Sequence, residues 1–276
     1  MGNTSLPLLM ETHELSQRLE QAESLRIVYV GDRESFETAH IPGARFVDYA
    51  DLKTEQPPAG GVLPPLEHLG RKLAEAGIRP ETAVVAYDDS GNARAARLLW
   101  TLDCLGHFNA SLLNGGLPAW LSDGYTVEKG PTAVEARTSD YQAELTHPEY
   151  RADKAYLLEK LGDPEVKVLD ARTPEEYRGE MVRARNAGHI PGALNLEWTQ
   201  NMNPGDATRL WPKEKLKAMY EELGLSPDEE VITHCHTHHR SALTYFVLRY
   251  LGFEKVRGYD GSWSEWGNSP ECPVER

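Results

Sequence analysis

Cysteine is scarce: Cys104, Cys235 and Cys272 are scattered singly through 276 residues. That is no disulfide framework, and it suits a reducing compartment. Basic residues are also short, with 29 Lys and Arg against 43 Asp and Glu and a formal charge of −14. Duplex nucleic acid and anionic membranes need a basic surface to displace counterions, so both are excluded as partners. No apolar run approaches bilayer-spanning length, and Met1–Thr12 lacks the basic start and apolar core of a secretory signal. The expectation is a cytoplasmic protein. What the chain does have is 40% hydrophobic residues, enough for the cores of one large or two ordinary domains.

Internal similarity decides between these. "AHIPGARFVD" at 39–48 returns as "GHIPGALNLEW" at 188–198, each after an apolar strand ending in acid and arginine, "RIVYVGDR" at 26–33 and "VKVLDAR" at 166–172. "AVVAYDDSGNARAARLLWTLDCLGH" at 83–107 pairs with "EVITHCHTHHRSALTYFVLRYLGF" at 230–253, and "LLNGGLPAW" with "VRGYDGSWSEW". A period near 149 residues with two copies is a tandem domain duplication, since solenoid repeats are far shorter. The expected boundaries are a first domain over 1–130, a linker over 131–150 and a second domain over 151–276. Each half alternates short apolar runs with helical patterns, the mark of an α/β domain with a mainly parallel sheet flanked by helices. In the second half the strands fall near Lys167–Asp170, Ala193–Leu196, Val231–His234 and Lys255–Arg257. "SALTYFVLRYLG" puts Leu243, Phe246, Val247 and Tyr250 on one helical face, with Gly252 as its C-cap.

"HCHTHHRS" at 234–241 therefore lies between a strand and a helix start, where unpaired N–H groups and the helix dipole favour negative charge. Cys235 follows the strand directly and sits at the floor of the loop His236–Arg240. The helix end and Arg240 both lower a cysteine pKa. A cysteine taken at random is most often a small core residue, but the aligned position in the first copy is Asp88, and a core cysteine does not normally exchange for aspartate. Zinc or copper binding by "CHTHH" is the competing reading. It lacks a second ligand cluster elsewhere, and a short turn cannot aim all those side chains at one ion.

The paired H-I-P-G-A motifs, the D-x-R strand ends, the loop of Cys, four residues and Arg, and "YDGSWSEW" together resemble the tandem-domain rhodaneses, the thiosulfate and 3-mercaptopyruvate sulfurtransferase family. The likeness covers nearly the whole chain. It implies two rhodanese-like domains, a catalytic second one and an inactive first one that has Asp88 in place of the nucleophile. It implies a ping-pong reaction through a persulfide on Cys235, with the amides of His236, Thr237, His238, His239 and Arg240 around the terminal sulfur. No cofactor is implied. The donor is thiosulfate or another small sulfur compound, and the acceptor is cyanide, a small thiol or a protein cysteine. Related phosphatases and arsenate reductases put five residues between Cys and Arg, so four here favour a single sulfur atom over an oxyanion.

The choice of donor rests on details. Animal-type thiosulfate enzymes resemble Cys-Arg-Lys in the loop, and mercaptopyruvate enzymes resemble Cys-Gly-Ser-Gly. Here Thr237 stands at the serine position, while His238, His239 and Arg240 form a basic rim suited to a dianion. The resemblance is to the bacterial thiosulfate type, with mercaptopyruvate as the alternative donor and a non-turnover persulfide-carrying regulatory module as the alternative role. In "DARTPEEYRGE" the family's donor-binding arginine is replaced by Glu176, so Arg178, Arg183 or Arg185 is expected to substitute. Trp198 is expected to line the cleft. His40 and His189 recur in both copies and are read as turn residues. Cys104 is expected in the core and Cys272 on the surface.

Overall fold

The computed structural model describes residues 5–21, 25–132 and 141–276. In chain order the strands are β1 (Leu9–Met10), β2 (Leu25–Gly31), β3 (Arg45–Asp48), β4 (Thr54–Gln56), β5 (Ala59–Val62), β6 (Ala83–Tyr87), β7 (Ala110–Leu113), β8 (Arg151–Ala152), β9 (Val166–Asp170), β10 (Leu194–Asn195), β11 (Glu230–His234) and β12 (Val256–Tyr259). The helices are α1 (Thr12–Glu20), α2 (Arg33–Thr38), α3 (Leu66–Glu75), α4 (Ala93–Cys104), α5 (Gly116–Ser122), α6 (Lys154–Glu159), α7 (Pro174–Tyr177), α8 (Lys213–Glu222), α9 (Arg240–Leu251) and α10 (Ser262–Trp266).

The chain divides into two compact units, and the division is not simply sequential. One takes residues up to Leu52, Pro64–Thr146 and Asn203–Leu210; the other takes Lys53–Leu63, His147–Met202 and Trp211–Arg276. The chain passes between the units at Thr146 and His147, and residues 133–140 of the expected linker lie outside the described residues. The β4–β5 hairpin, carried by the first repeat, is thus part of the second unit.

The first unit holds a parallel sheet in the order β1-β7-β6-β2-β3, and the second one in the order β10-β9-β11-β12-β8. Parallel strands covered on both faces read as continuous apolar runs, and "AVVAY" in β6 and "EVITH" in β11 are buried almost throughout. Leu15, Tyr29, Phe36 and Trp120 belong to one core, and Leu157, Ile190, Trp263 and Trp266 to the other. α9 is buried from Ser241 to Leu248, not on one face alone, because it packs in the interior of its unit; Tyr250 is only half-buried. Gly252 ends it at φ 97°, a left-handed C-cap that favours glycine.

His40 and His189 occupy matching places. Each stacks on an aromatic ring, Phe36 and Tyr177 respectively, and places Nδ1 2.8 or 2.9 Å from the carbonyl of that same residue. Cys104 is buried as expected. Cys272 is a correction: it is buried against the Trp263 and Trp266 core, because the C-terminal segment folds back and Trp266 Nε1 donates to Pro273 O.

In each sheet the strand order reverses once, between β9 and β11 in the second unit and between β2 and β6 in the first. Open α/β sheets bind ligands outside the carboxyl ends of the strands at such a reversal. Cys235 follows β11 there, and Asp88 follows β6.

Candidate active site

β11 delivers Cys235 and α9 begins at Arg240, so the intervening turn lies against a helix N-terminus. Cys235 is buried, and its sulfur is met by the Ser241 hydroxyl and by the amides of Ser241 and Thr237. Burial pushes the thiol pKa up, but the Arg240 guanidinium and these donors outweigh it and hold the thiol below its ordinary range. His238 Nδ1 is 2.7 Å from Ser241 Oγ. With the Ser241 proton given to sulfur, His238 carries its own on Nδ1, so the donors run from imidazole to hydroxyl to thiolate.

The turn is braced from behind. Ser262 Oγ accepts from Cys235 N at 3.3 Å and His238 N at 3.0 Å, and donates to Tyr259 O at 2.7 Å. Trp263 N donates to Cys235 O at 3.0 Å and Ser264 N to His236 O at 2.9 Å. His238 and Ser262 stand at φ 51° and 50°, left-handed backbone held by these bonds. Deeper still, Arg172 grips Asp170 through Nε and Nη2, donates to Gly188 O and lies 4.3 Å over the Trp263 ring. Burial pushes His234 down to about 4, so its ring is neutral, 3.6 Å from Asp170 and 3.2 Å from Cys235 O.

Glu176 has a different part from the one its sequence position suggested. It is buried, closes a capping box with Thr173 at the start of α7, and binds Arg240 through both oxygens at 2.5 and 3.0 Å. Arg183 Nε lies 3.1 Å from the same carboxylate. Burial pushes the Glu176 carboxyl up, yet Arg240 outweighs it and keeps it ionised below its usual range.

The predicted residues do not all converge. Cys235, Thr237 and Arg240 come together. His236 is half-buried, and burial lowers its pKa. His239 meets the Trp198 ring with centroids 6.3 Å apart, which puts Trp198 beside the loop. His238 is a correction to the basic rim: it is fully buried, because its left-handed backbone turns the ring in toward Ser241. Arg178 is not brought to the loop, since it is exposed and paired with Glu180 at 2.7 Å and Glu175 at 3.7 Å. Arg185 is exposed, with its amide bonded to Asn268. Among the described residues no group of three or more His, Cys, Asp or Glu is placed to hold a metal ion. Sequence reasoning missed Ser241, Ser262 and Ser264. The one available signal was Ser262 itself, aligned with Gly116 of the first copy, which stands at φ 56°.

The first copy builds the same turn around a carboxylate. Asp88 Oδ1 accepts from Ser90 N and Asn92 N, both at 2.9 Å, and Oδ2 from Arg94 N at 2.9 Å and Ala95 N at 3.0 Å. Leu117 N donates to Asp88 O as Trp263 N does to Cys235 O. The ring of amides thus recurs in both units, around sulfur in one and around the Asp88 carboxyl in the other, where burial outweighs the amides and pushes the carboxyl pKa up.

Comparison with known proteins agrees with this geometry. A family model described as a rhodanese-like domain matches residues 11–123 and again 153–269. A Pseudomonas aeruginosa protein named thiosulfate sulfurtransferase is 45% identical over 99% of this chain and 98% of its own. An Azotobacter vinelandii protein of the same name is 45% identical over 98% of each chain. A Thermus thermophilus protein named as a sulfur carrier is 32% identical over 100% of this chain and 99% of its own. Among solved structures, the anaerobic ergothioneine biosynthesis enzyme of Chlorobium limicola, bound to trimethyl histidine, superposes with a TM-score of 0.87 at 23% identity, over 97% of this chain and 70% of that one. At that identity the likeness is one of fold.

Proposed function

This chain belongs to the rhodanese family, and on that premise we propose that it is a thiosulfate sulfurtransferase working through a persulfide on Cys235. The observation that carries the reading is the buried Cys235 thiol, held below its ordinary pKa by Arg240, Ser241 and the Thr237 amide. Its thiolate attacks the sulfane sulfur of thiosulfate. A new S–S bond forms, the S–S bond of thiosulfate breaks, and sulfite leaves with the electron pair. The negative charge moves to the terminal sulfur, where amides of the turn from His236 to Arg240 receive it, so no general base is needed. Cyanide or a thiolate then attacks that sulfur and releases the Cys235 thiolate, giving thiocyanate or a new persulfide.

The two relatives of 45% identity support thiosulfate as donor. The relative named as a sulfur carrier supports sulfur held on the chain as a persulfide. The first copy is the non-catalytic partner, its cradle already filled by Asp88. No helix among the described residues is long and apolar enough to cross a membrane. The three free cysteines support a reducing, cytoplasmic setting.

Intact mass after incubation with thiosulfate tests the chemistry. One sulfur atom is expected on the wild type and none on Cys235→Ser, and cyanide should remove it again as thiocyanate. Retained turnover in Cys235→Ser would defeat the assignment. Dialysis against a chelator should leave turnover unchanged, and activity lost there and restored by one ion would reinstate the metal reading.

A further inference from the structure

The β4–β5 hairpin comes from the first repeat, far from Cys235 in sequence, yet it packs on the turn that holds the sulfur. Gly60 N donates to Ser264 Oγ at 2.9 Å, and Leu63 N donates to the buried Asp260 carboxylate at 2.8 Å, which Arg151 also grips. Gly61 is buried against Thr237. A Cβ there would overlap the Thr237 carbonyl oxygen and lie 2.8 Å from both the carbonyl carbon and the Thr237 Cβ. Gly61 is not in left-handed backbone, so close approach alone demands glycine at that position.

Two successive peptide planes explain why this matters. In the plane joining His236 to Thr237, the carbonyl accepts from Ser264 N and the Thr237 N–H points to the Cys235 sulfur. In the next plane, joining Thr237 to His238, Gly61 abuts the carbonyl and Ser262 Oγ takes the N–H. The Thr237 N–H can aim at sulfur only while both planes are held, and the hairpin holds each of them: one through Ser264, the other through direct contact. The left-handed backbone of His238 persists only under such bracing.

We propose that the β4–β5 hairpin is a positioning element of the persulfide loop, with Gly61 as the residue that lets it seat on Thr237 and aim the Thr237 N–H at the sulfur. The inference rests on Cys235 being the sulfur carrier. It gives the first repeat a part in the chemistry that the loss of its own nucleophile would not suggest.

The test is Gly61→Ala in the full chain, read by thiolate ultraviolet absorbance against pH, with Cys235→Ser subtracted, and by the rate of sulfur gain from thiosulfate. The added methyl should rotate the Thr237 peptide away. The Cys235 titration should then move up by about one unit and loading at a pH below it should fall about tenfold. Gly70→Ala is the matched control: its methyl would also collide with a carbonyl, that of Tyr141, but in the first unit. It should lower the melting temperature and leave the titration unmoved. Ser264→Ala, which removes the hairpin's bridge without a collision, should move the titration in the same direction and decides the matter if Gly61→Ala does not fold. An unmoved titration in Gly61→Ala, or an equal shift in Gly70→Ala, would overturn the proposal. Failure of the wild type to load sulfur, with the titration shift still present, would instead overturn the assigned reaction and leave the hairpin's role standing.

Discussion

Arg240 serves two carboxylate-sized charges at once, the Glu176 side chain and the Cys235 thiolate. Arg240→Gln should therefore do two separable things. It leaves the buried Glu176 carboxylate with only Arg183 beside it, so the cost should stay below the about 3–5 kcal/mol of a buried charge left wholly unpaired. It also lets burial raise the Cys235 thiol. Because a depressed thiol pKa keeps the thiolate down to that pKa, sulfur loading in the variant should fail at a higher pH than in the wild type as pH is lowered. The double variant Glu176→Gln with Arg240→Gln should recover most of the melting temperature and none of the thiolate shift, since Glu176 touches stability through Arg240 and the sulfur only indirectly. Recovery of both would mean that Arg240 acts on Cys235 only by holding the fold. His234 gives a second pH signature. Its folded pKa, about 4, lies below the ordinary 6.5, so as pH falls the unfolded chain takes up this proton first. Stability is full above 6.5 and is lost down to about 4, about 2 kcal/mol of it between pH 7 and pH 5. Urea unfolding of His234→Gln at those two pH values should show a difference smaller by that amount, and an unchanged difference would place the acid lability elsewhere.

At the scale of elements, Ser262 at the start of α10 is the clearest case of a residue that matters through another. Ser262→Gly keeps the left-handed backbone free of strain and removes only the oxygen that holds the Cys235 and His238 amides. Three hydrogen bonds go with that oxygen, and two buried amides lose their acceptor, so the melting temperature should fall and sulfur loading should drop by about tenfold or more. A rate equal to wild type would show that the turn holds itself. The strand, turn and helix around Cys235 were legible in the sequence because their signals are local: β-rich "EVITH", a polar turn, an apolar run and Gly252. Their brace was not. Ser262 lies 27 residues beyond Cys235, and the hairpin comes from the other repeat, so neither leaves a periodicity or spacing to read. Glu176 misled for a related reason: a carboxylate at an anion site looks repulsive until the guanidinium that neutralises it is seen, and Arg240 is 64 residues away. The basic rim failed at His238 because residue type does not reveal a left-handed φ that turns the ring inward.

For the whole molecule, the duplication was the strongest thing the sequence offered, since the paired motifs exposed both the fold and the odd residue out at Asp88. It also supplies an internal experiment. The two cradles share their amide rings, so what silences the first copy is either the missing thiol alone or the surroundings as well. The surroundings are hostile to an anionic donor. Asp32, Glu34 and Asp89 line a cavity of about 300 Å³ beside the Asp88 turn. Ala93 opens α4 where Arg240 opens α9 and lowers the pKa of Cys235, and the next residue, Arg94, is 3.6 Å from Asp32 and 3.7 Å from Asp89. One guanidinium, that of Arg94, offsets only part of the charge of the three acids, which leaves the mouth unfavourable for an incoming dianion. Asp88→Cys combined with Cys235→Ser should therefore fold, because four amides still surround the new thiol, but should gain no sulfur from thiosulfate by intact mass. Adding Asp32→Asn and Asp89→Asn should lower the barrier to the donor and release Arg94 toward the thiol, so slow loading is expected only in that combination. Loading by Asp88→Cys without the other two changes would show that the carboxylate in the cradle, and not the acidic mouth around it, is all that separates the silent copy from the active one.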